Sequence, residues 1–369
     1  MIAWRASTGS QTPPLCTPNR QSTVQQLQPL QDPRWDEFVS RAQNSSVFHT
    51  RAWLEALRRT YGYEPVVYTT SPANGALENG LLFCRVKSWF TGDRLVSVPF
   101  ADHCDPLARD SEEILRLVSA VERDVLQNRM DYLELRPRCP LRVEISLSNS
   151  EYVYCFHQLD LSRDLDTVFH SFHKDSTQRK IKRAQREGLD YEEGRSDPLL
   201  DAFYPLLVLT RQRRQVPPQP KRWFQNLMAC MGDRLKVRVA SIHGRPIAAI
   251  VTLRHKDTLV YKYGGSDARF HNLGAMHLLF WKCIQEAKQE GVRVFDLGRS
   301  NVGDGGLITF KDRWGGERST LTYSRHGRPG RFEYRPDGNW TERLAKQAAA
   351  HLPRPLFVYV GELLYPHLG

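Results

Sequence analysis

A lysine follows a glycine-rich stretch late in the chain. FDLGRSNVGDGGLITFKDRWGGE, residues 295–317, sets Gly298, Gly303, Gly305 and Gly306 ahead of Phe310-Lys311. Glycines at this density let backbone come close to a ligand. One ammonium just beyond them could polarise a carbonyl or pair with a phosphate. The same stretch also reads as a tight surface connection ending in a solvated lysine. Asp296 lies near the carboxyl end of a buried apolar run. It could receive a proton, orient Lys311 or sit in a structural ion pair. Tyr263, in YKYGG, could donate to a leaving group or pack in a core. ADHCDP gathers Asp102, His103, Cys104 and Asp105, but near-adjacent residues make a poor ligand set, so no metal site is assigned. HKDSTQRKIKRAQREG sets Arg179, Lys182, Arg183 and Arg186 at helical spacing, concentrating positive charge on one face. That face is either an anion site or simply solvated.

The elements that must hold these residues repeat once along the chain. Helical patterns over 33–42 and 51–62 precede strand patterns at 65–70, 80–88 and 94–100. The irregular ADHCDPLARD follows, then a helix over 111–128 with Ile114, Leu115, Val118, Val121 and Val125 on one face, and strands at 132–137 and 152–161. The second half shows a basic helix over 169–188, helices over 197–214 and 220–232, and strands at 235–242, 246–255 and 257–265. Pro205 must bend or split the first of those helices. An irregular SDARFHNLG, a helix over 275–291 and strands at 292–298 and 319–325 complete it. The economical reading is an α/β (α+β) chain of two similar domains in tandem, each a mixed, mainly antiparallel sheet flanked by helices. The expected organisation is a disordered tail over 1–23, domains over 24–162 and 163–330, and a C-terminal helical appendage over 331–369 with a helix near 340–351 and an apolar LFVYVGELLY.

Composition bounds the partners. The 369 residues carry a formal charge of +11, which favours anionic partners such as phosphates, nucleic acid, anionic lipid or an acidic polymer. Seven cysteines, with no C-x-x-C, argue against a disulfide framework or structural zinc and for a reducing compartment. No apolar run approaches the ~20 residues that span a bilayer, and residues 1–23 lack a signal-peptide core. A cytoplasmic protein is expected, at the inner face of the membrane if the basic-flanked apolar C-terminal segment makes a peripheral contact. An RNA-binding protein using the basic helix with Trp223 and Tyr263 is an alternative, although no recognised RNA-reading motif is present. DNA is not an expected partner.

Tyr-x-Tyr-Gly-Gly (261–265), Ala-x-x-x-Gly-x-x-x-Phe-Asp-x-Gly (287–298) and Phe-Lys-x-x-x-Gly (310–315), in this order and spacing, resemble the FemAB-type branch of the GNAT acyltransferases. VPFADHCDPL (98–107) and the closing GELLYPHLG extend the resemblance more weakly, so that it runs from about residue 25 to the end. It implies two tandem GNAT-like domains and acyl transfer to an amine, with no tightly bound cofactor and with acyl-CoA or aminoacyl-tRNA as co-substrate. The acceptor would be an anionic small molecule or a cell-envelope or exopolysaccharide (glycan) precursor. By resemblance Lys311 serves transfer with Phe310 beside it. Arg213, in TRQRR, meets substrate phosphate, and Asp102 and Asp105 contact the acceptor. The resemblance implies that the strand Val260–Gly265 is splayed and supplies backbone N–H groups to the donor, and Gly264 and Gly265 allow a bulge and close approach there. The phosphate loop corresponds to His271-Asn272-Leu273-Gly274-Ala275-Met276. Its glycine is present, but the leading Gln/Arg and the final small residue are not, so the donor stays open. A catalytically degenerate scaffold that binds an anionic polymer or partner is the other reading of that departure.

Overall fold

The computed structural model describes residues 23–141, 145–327 and 352–369. The expected tail over 1–22 and the helix near 340–351 lie outside the described residues.

In chain order the first half contributes β1 (Gln25–Leu27), α1 (Arg34–Arg41), α2 (Arg51–Tyr61), β2 (Glu64–Thr69), β3 (Leu81–Ser88), β4 (Gly92–Val96), α3 (Ser111–Gln127), β5 (Tyr132–Leu135) and β6 (Ser148–Asp160). The second contributes α4 (Leu165–Ser171), α5 (Arg179–Arg186), β7 (Asp190–Gly194), α6 (Asp197–Arg213), α7 (Lys221–Met231), β8 (Leu235–Ile242), β9 (Arg245–His255), β10 (Thr258–Ser266), α8 (Ala275–Gln289), β11 (Val294–Asn301), α9 (Gly305–Asp312) and β12 (Glu317–Gly327). A last helix, α10 (Arg354–Leu364), follows.

The twelve strands of the described residues form one sheet in the order β1-β2-β3-β4-β5-β12-β6-β11-β10-β9-β8-β7. Read from either edge inward, each half runs through three antiparallel pairings and then one parallel pairing, β4–β5 and β10–β11. The sixth strands are exchanged. β6, expected to close the first half, pairs with β11, whereas β12 pairs with β5, and β6 and β12 join antiparallel at the centre over eleven residues. Each half thus lends the other a strand.

One apolar core on a face of this sheet spans both halves. It joins Val67, Leu82, Val86 and Val96 of the first half to Val237, Val251, Leu253 and Val260 of the second, roofed by α1, α2, α6 and α7. Trp53 of α2 meets Trp223 of α7 edge-on at 5.3 Å, binding the two halves through a fully buried aromatic pair. The opposite face carries two separate cores, α3 on the first half and α4, α5 and α8 on the second.

Local chemistry explains most boundaries. Thr50, Asp110 and Ser196 cap α2, α3 and α6 with side-chain oxygens, and Gly62 ends α2 in the left-handed region at φ +73°. Three expectations are corrected. The basic helix expected over 169–188 is broken into α4, a π-turn at Lys174–Gln178 and α5, because His173 caps a new start by accepting from Ser176 N–H. α6 runs through Pro205 without splitting. The glycine stretch is only partly a loop, since Asp304 caps α9 and places Lys311 on a helix. Among the described residues no helix is long and apolar enough to cross a membrane.

Candidate active site

The parallel pair β10–β11 parts early. It is paired only over Thr258–Val260 and Val294–Asp296, so the β11-facing edge of β10 beyond Val260 has no strand partner. On its other edge β10 bulges between Tyr261 and Tyr263 against β9. A bulge adds a residue and resets the two-residue alternation. Lys262 is the added residue. Its side chain enters the shared core side, where Phe48, Trp53 and Tyr263 lie 5.0, 5.8 and 5.9 Å from its ammonium.

Two cavities meet at this opening. The larger, about 900 Å³, is lined by residues of both halves, among them Phe100, Asp102, Arg211, Lys262, Arg299 and Lys311. The smaller, about 270 Å³, lies between β10 and the start of α8 and includes Lys180, Gly265, His271, Gly274, Ala275 and Phe310. Thr210, Arg213, Arg214, Tyr261, Gly264 and Leu307 line both. Phe310 and Lys311, adjacent on α9, therefore serve different cavities.

Lys311 is 2% exposed and donates to the carbonyls of Gly298 and Arg299 at 2.8 and 3.0 Å. Burial pulls its ammonium down to about 8, even though Asp102 and Asp296 oppose the shift. Gly298 makes this possible. At φ +71° its peptide turns its N–H to Asp296 Oδ1 (2.7 Å) and its carbonyl to Lys311. The other oxygen of Asp296 faces His103 Nε2 at 3.1 Å. A chain of contacts thus runs from His103 of the first half through Asp296 and the Gly298 peptide to Lys311. With both oxygens engaged and 1% exposure, Asp296 has the surroundings of an orienting group.

Asp102 is a carboxylate in the wall of the larger cavity. Lys262 Nζ donates to it at 2.7 Å and Arg299 Nε stands 3.8 Å away. Burial alone would push its carboxyl up, but Lys262, Arg299 and Lys311 outweigh that and hold it below its ordinary range. Burial lowers Lys262, with Asp102 opposing. The cavity wall carries six cations (Arg211, Arg213, Arg214, Lys262, Arg299, Lys311) against Asp102 and Asp304, and Asp304 is tied to Arg214, so its field favours an anion.

The remaining expected residues divide. Tyr263 reaches the larger cavity, yet its hydroxyl accepts from Trp223 Nε1 at 2.9 Å and burial raises its pKa, which suits packing. Arg213 is half-buried and donates to Ser266 O at 3.4 Å. Gly265 fits because a Cβ there would stand 2.4 Å from the backbone of Leu206–Leu207 on α6. Gly274 sits under α5, where a Cβ would lie 2.5 Å from the Lys180 carbonyl. Asp105 lines neither cavity and is held by Arg138. Arg179 and Arg183 line neither as well. Both are exposed, Arg183 pairs with Glu187, and Lys180 is the residue of α5 that reaches a cavity. Cys104 Sγ lies 3.3 Å from His49 Nε2. Burial raises this thiol to about 12 and lowers the imidazole to about 4, so the pair is not an activated nucleophile.

Lys262, Arg299, Arg214 and Lys180 escaped the sequence reading as site residues. The signal for Lys262 was a charge inside an otherwise buried strand beside two glycines. Arg299 follows Gly298 directly, but nothing local separates it from a surface arginine.

Comparison with known proteins bears on this geometry. Residues 171–311 match the acetyltransferase (GNAT) domain family. The UDP-N-acetylmuramoylpentapeptide-lysine N(6)-alanyltransferase of Weissella viridescens is 28% identical over 159 residues. That alignment covers 42% of this chain and 46% of the relative, so the chain spans less than half the length of the curated relative it matches. Among solved structures, the crystal structure of FemX superposes with a TM-score of 0.62 at 12% identity, covering 81% of this chain and 96% of that one. A conserved protein of unknown function from Bacteroides thetaiotaomicron gives 0.56 at 11% identity, covering 79% and 96%. The structural likenesses concern the fold.

Proposed function

We propose that this chain, whose residues 171–311 match the acetyltransferase (GNAT) domain family and whose fold is similar to that of FemX, is an N-acyltransferase acting on an amine of an anionic cell-envelope precursor. The single observation that carries this is the buried Lys311 in the wall of a strongly cationic cavity, next to a smaller cavity of a size for the reactive end of a donor. The acyl or aminoacyl group enters the smaller cavity along the open edge of β10, with donor phosphate toward Lys180 and the start of α8, where unpaired N–H groups favour anions. The acceptor's phosphate occupies the larger cavity against Arg211, Arg213 and Arg214, and guanidinium forks suit it.

The acceptor nitrogen attacks the acyl carbonyl carbon and forms the C–N bond. The C–O bond of an ester donor, or the C–S bond of a thioester, breaks, and the leaving oxygen or sulfur takes that electron pair and a proton. Asp102, kept ionised by its cationic neighbours, holds the acceptor ammonium, and the proton that the amine must shed leaves to solvent. Lys311 stabilises negative charge developing on the carbonyl oxygen. His103 and Asp296 hold the Gly298 peptide that positions Lys311. The precursor would be met at the inner face of the membrane, where the C-terminal segment supplies a peripheral contact.

Purified protein incubated separately with aminoacyl-tRNA and with acyl-CoA, together with amine-bearing envelope precursors, tests this reading. One donor is expected to give an amide product, and Lys311→Ala is expected to abolish it while the thermal transition persists. Precursor binding without turnover by either donor would leave the degenerate scaffold instead.

A further inference from the structure

The most exposed aromatic side chains of the described residues gather where the chain ends. Trp89 and Phe90 form the tip between β3 and β4 and are 88% and 65% exposed. Their rings lie 5.9 Å apart, and Trp89 meets His367 edge-on at 5.7 Å. Ser88 Oγ lies 2.9 Å from His367 Nδ1, and Thr91 Oγ1 donates to the His367 carbonyl at 2.8 Å, so the tip is fixed to the C-terminal segment. That segment is itself pinned. The buried Arg94 guanidinium donates to the carbonyls of His367 and Gly369 at 2.7 and 3.0 Å. Gly361 of α10 lies so close to Pro218 that a Cβ would stand 2.0 Å from its carbonyl oxygen.

The helix α10 has two unlike faces. Phe357 and Gly361, followed by Tyr365, are buried, whereas Leu356, Tyr359 and Leu363 are each more than half exposed and share one stripe at helical spacing. Leu368 is exposed to the same degree. Lys87 and Arg354 flank this apolar surface in sequence, both exposed, and Glu362 is the single carboxylate of α10. Aromatic and aliphatic side chains held rigidly outward, flanked by basic residues on a chain of charge +11, are the composition of an interfacial membrane contact. Tyr365 and Leu368 continue the surface inward as part of the wall of the cationic cavity. From outside to inside, apolar surface gives way to positive charge. An anionic headgroup on an apolar chain has the same order.

We propose that this end of the molecule docks on an anionic phospholipid surface through Trp89, Phe90 and the exposed stripe of α10. The docking stands by itself, and only the turnover readout below rests on the transferase reading.

Co-sedimentation of the full chain with vesicles of phosphatidylglycerol and phosphatidylcholine, compared with phosphatidylcholine alone, tests the docking. Binding is expected to the anionic vesicles and to weaken as salt rises. Trp89→Ala with Phe90→Ala is expected to weaken it about tenfold or more, because two exposed aromatics no longer enter the interface. Tyr359→Ser with Leu363→Ser should act in the same direction. Both double variants should keep the wild-type thermal transition and wild-type turnover of a short-chain, soluble acceptor, yet lose turnover of the same headgroup embedded in vesicles. Equal binding to neutral and anionic vesicles, undiminished binding by both variants, or a wild-type dimer that both variants dissociate would overturn the proposal. Vesicle binding without turnover of any acceptor would sink the transferase reading and leave the docking intact.

Discussion

At the scale of single residues the site is governed by the cost of burying charge. Lys311 keeps its cation in a nearly closed position because two backbone carbonyls and two nearby carboxylates compensate part of that cost. Its folded pKa of about 8 lies below the ordinary 10.5. Between those values the unfolded chain binds more protons, so this group adds stability as pH rises through that window. Its contribution to catalysis runs the other way. Turnover should fall as pH rises through about 8, where the ammonium is lost. Lys311→Arg should move that limb upward, because a guanidinium stays protonated to pH ~12 and beyond. A pH–rate profile whose alkaline limb is the same in both proteins would remove Lys311 from the charge-stabilising role. His103 acts only through Asp296 and the Gly298 peptide. His103→Phe should therefore lower kcat by about tenfold while leaving KM nearly unchanged, as a small misplacement of a catalytic group does, and His103→Gln should recover part of the loss. Phe310-Lys311 could be singled out from the glycine-rich motif, but the contact of His103 with Asp296 could not, because the two lie 193 positions apart.

At the scale of elements the opening between β10 and β11 depends on close backbone packing. Gly265 allows α6 to lie against β10, and a methyl group there would meet the Leu206–Leu207 peptide at 2.4 Å. Gly265→Ala should cost about 1–3 kcal/mol by overpacking and should weaken donor binding. Gly303→Ala meets nothing within 4 Å and should change stability by less than about 0.5 kcal/mol. Denaturant titration of both proteins checks the contrast, and equal stability would show that α6 shifts without cost. Ten of the twelve strands could be read from apolar runs and alternation. β1 (QQL) and β7 (DYEEG) could not, since both are short and polar. They are the two outer edges of the sheet, where polar residues discourage pairing with other chains. A bulge was expected in the strand Val260–Gly265 from its two glycines, but its position at Lys262 was hidden, because a period-two pattern assumes an unbroken ladder.

At the scale of the whole molecule the exchanged strands decide the behaviour. β5 and β11 each end on a strand supplied by the other half, and a single core spans both. Residues 23–162 expressed alone would lack β12 and should show no cooperative thermal transition, whereas the full chain should melt in one calorimetric step. Two resolved transitions, or a well-dispersed NMR spectrum from the fragment, would contradict the interlocking. The sequence by itself determined the repeat of strands and helices, the excess of positive charge and the short motifs around Gly264, Asp296 and Lys311, because periodicity, composition and turn chemistry are local properties. Only the tertiary structure decided which strand closes which half, that His103 of one half meets Asp296 of the other, and that Lys180 rather than Arg179 or Arg183 reaches a cavity. Those facts rest on contacts between residues far apart in the chain, and no local pattern records which distant partner a buried charge will find.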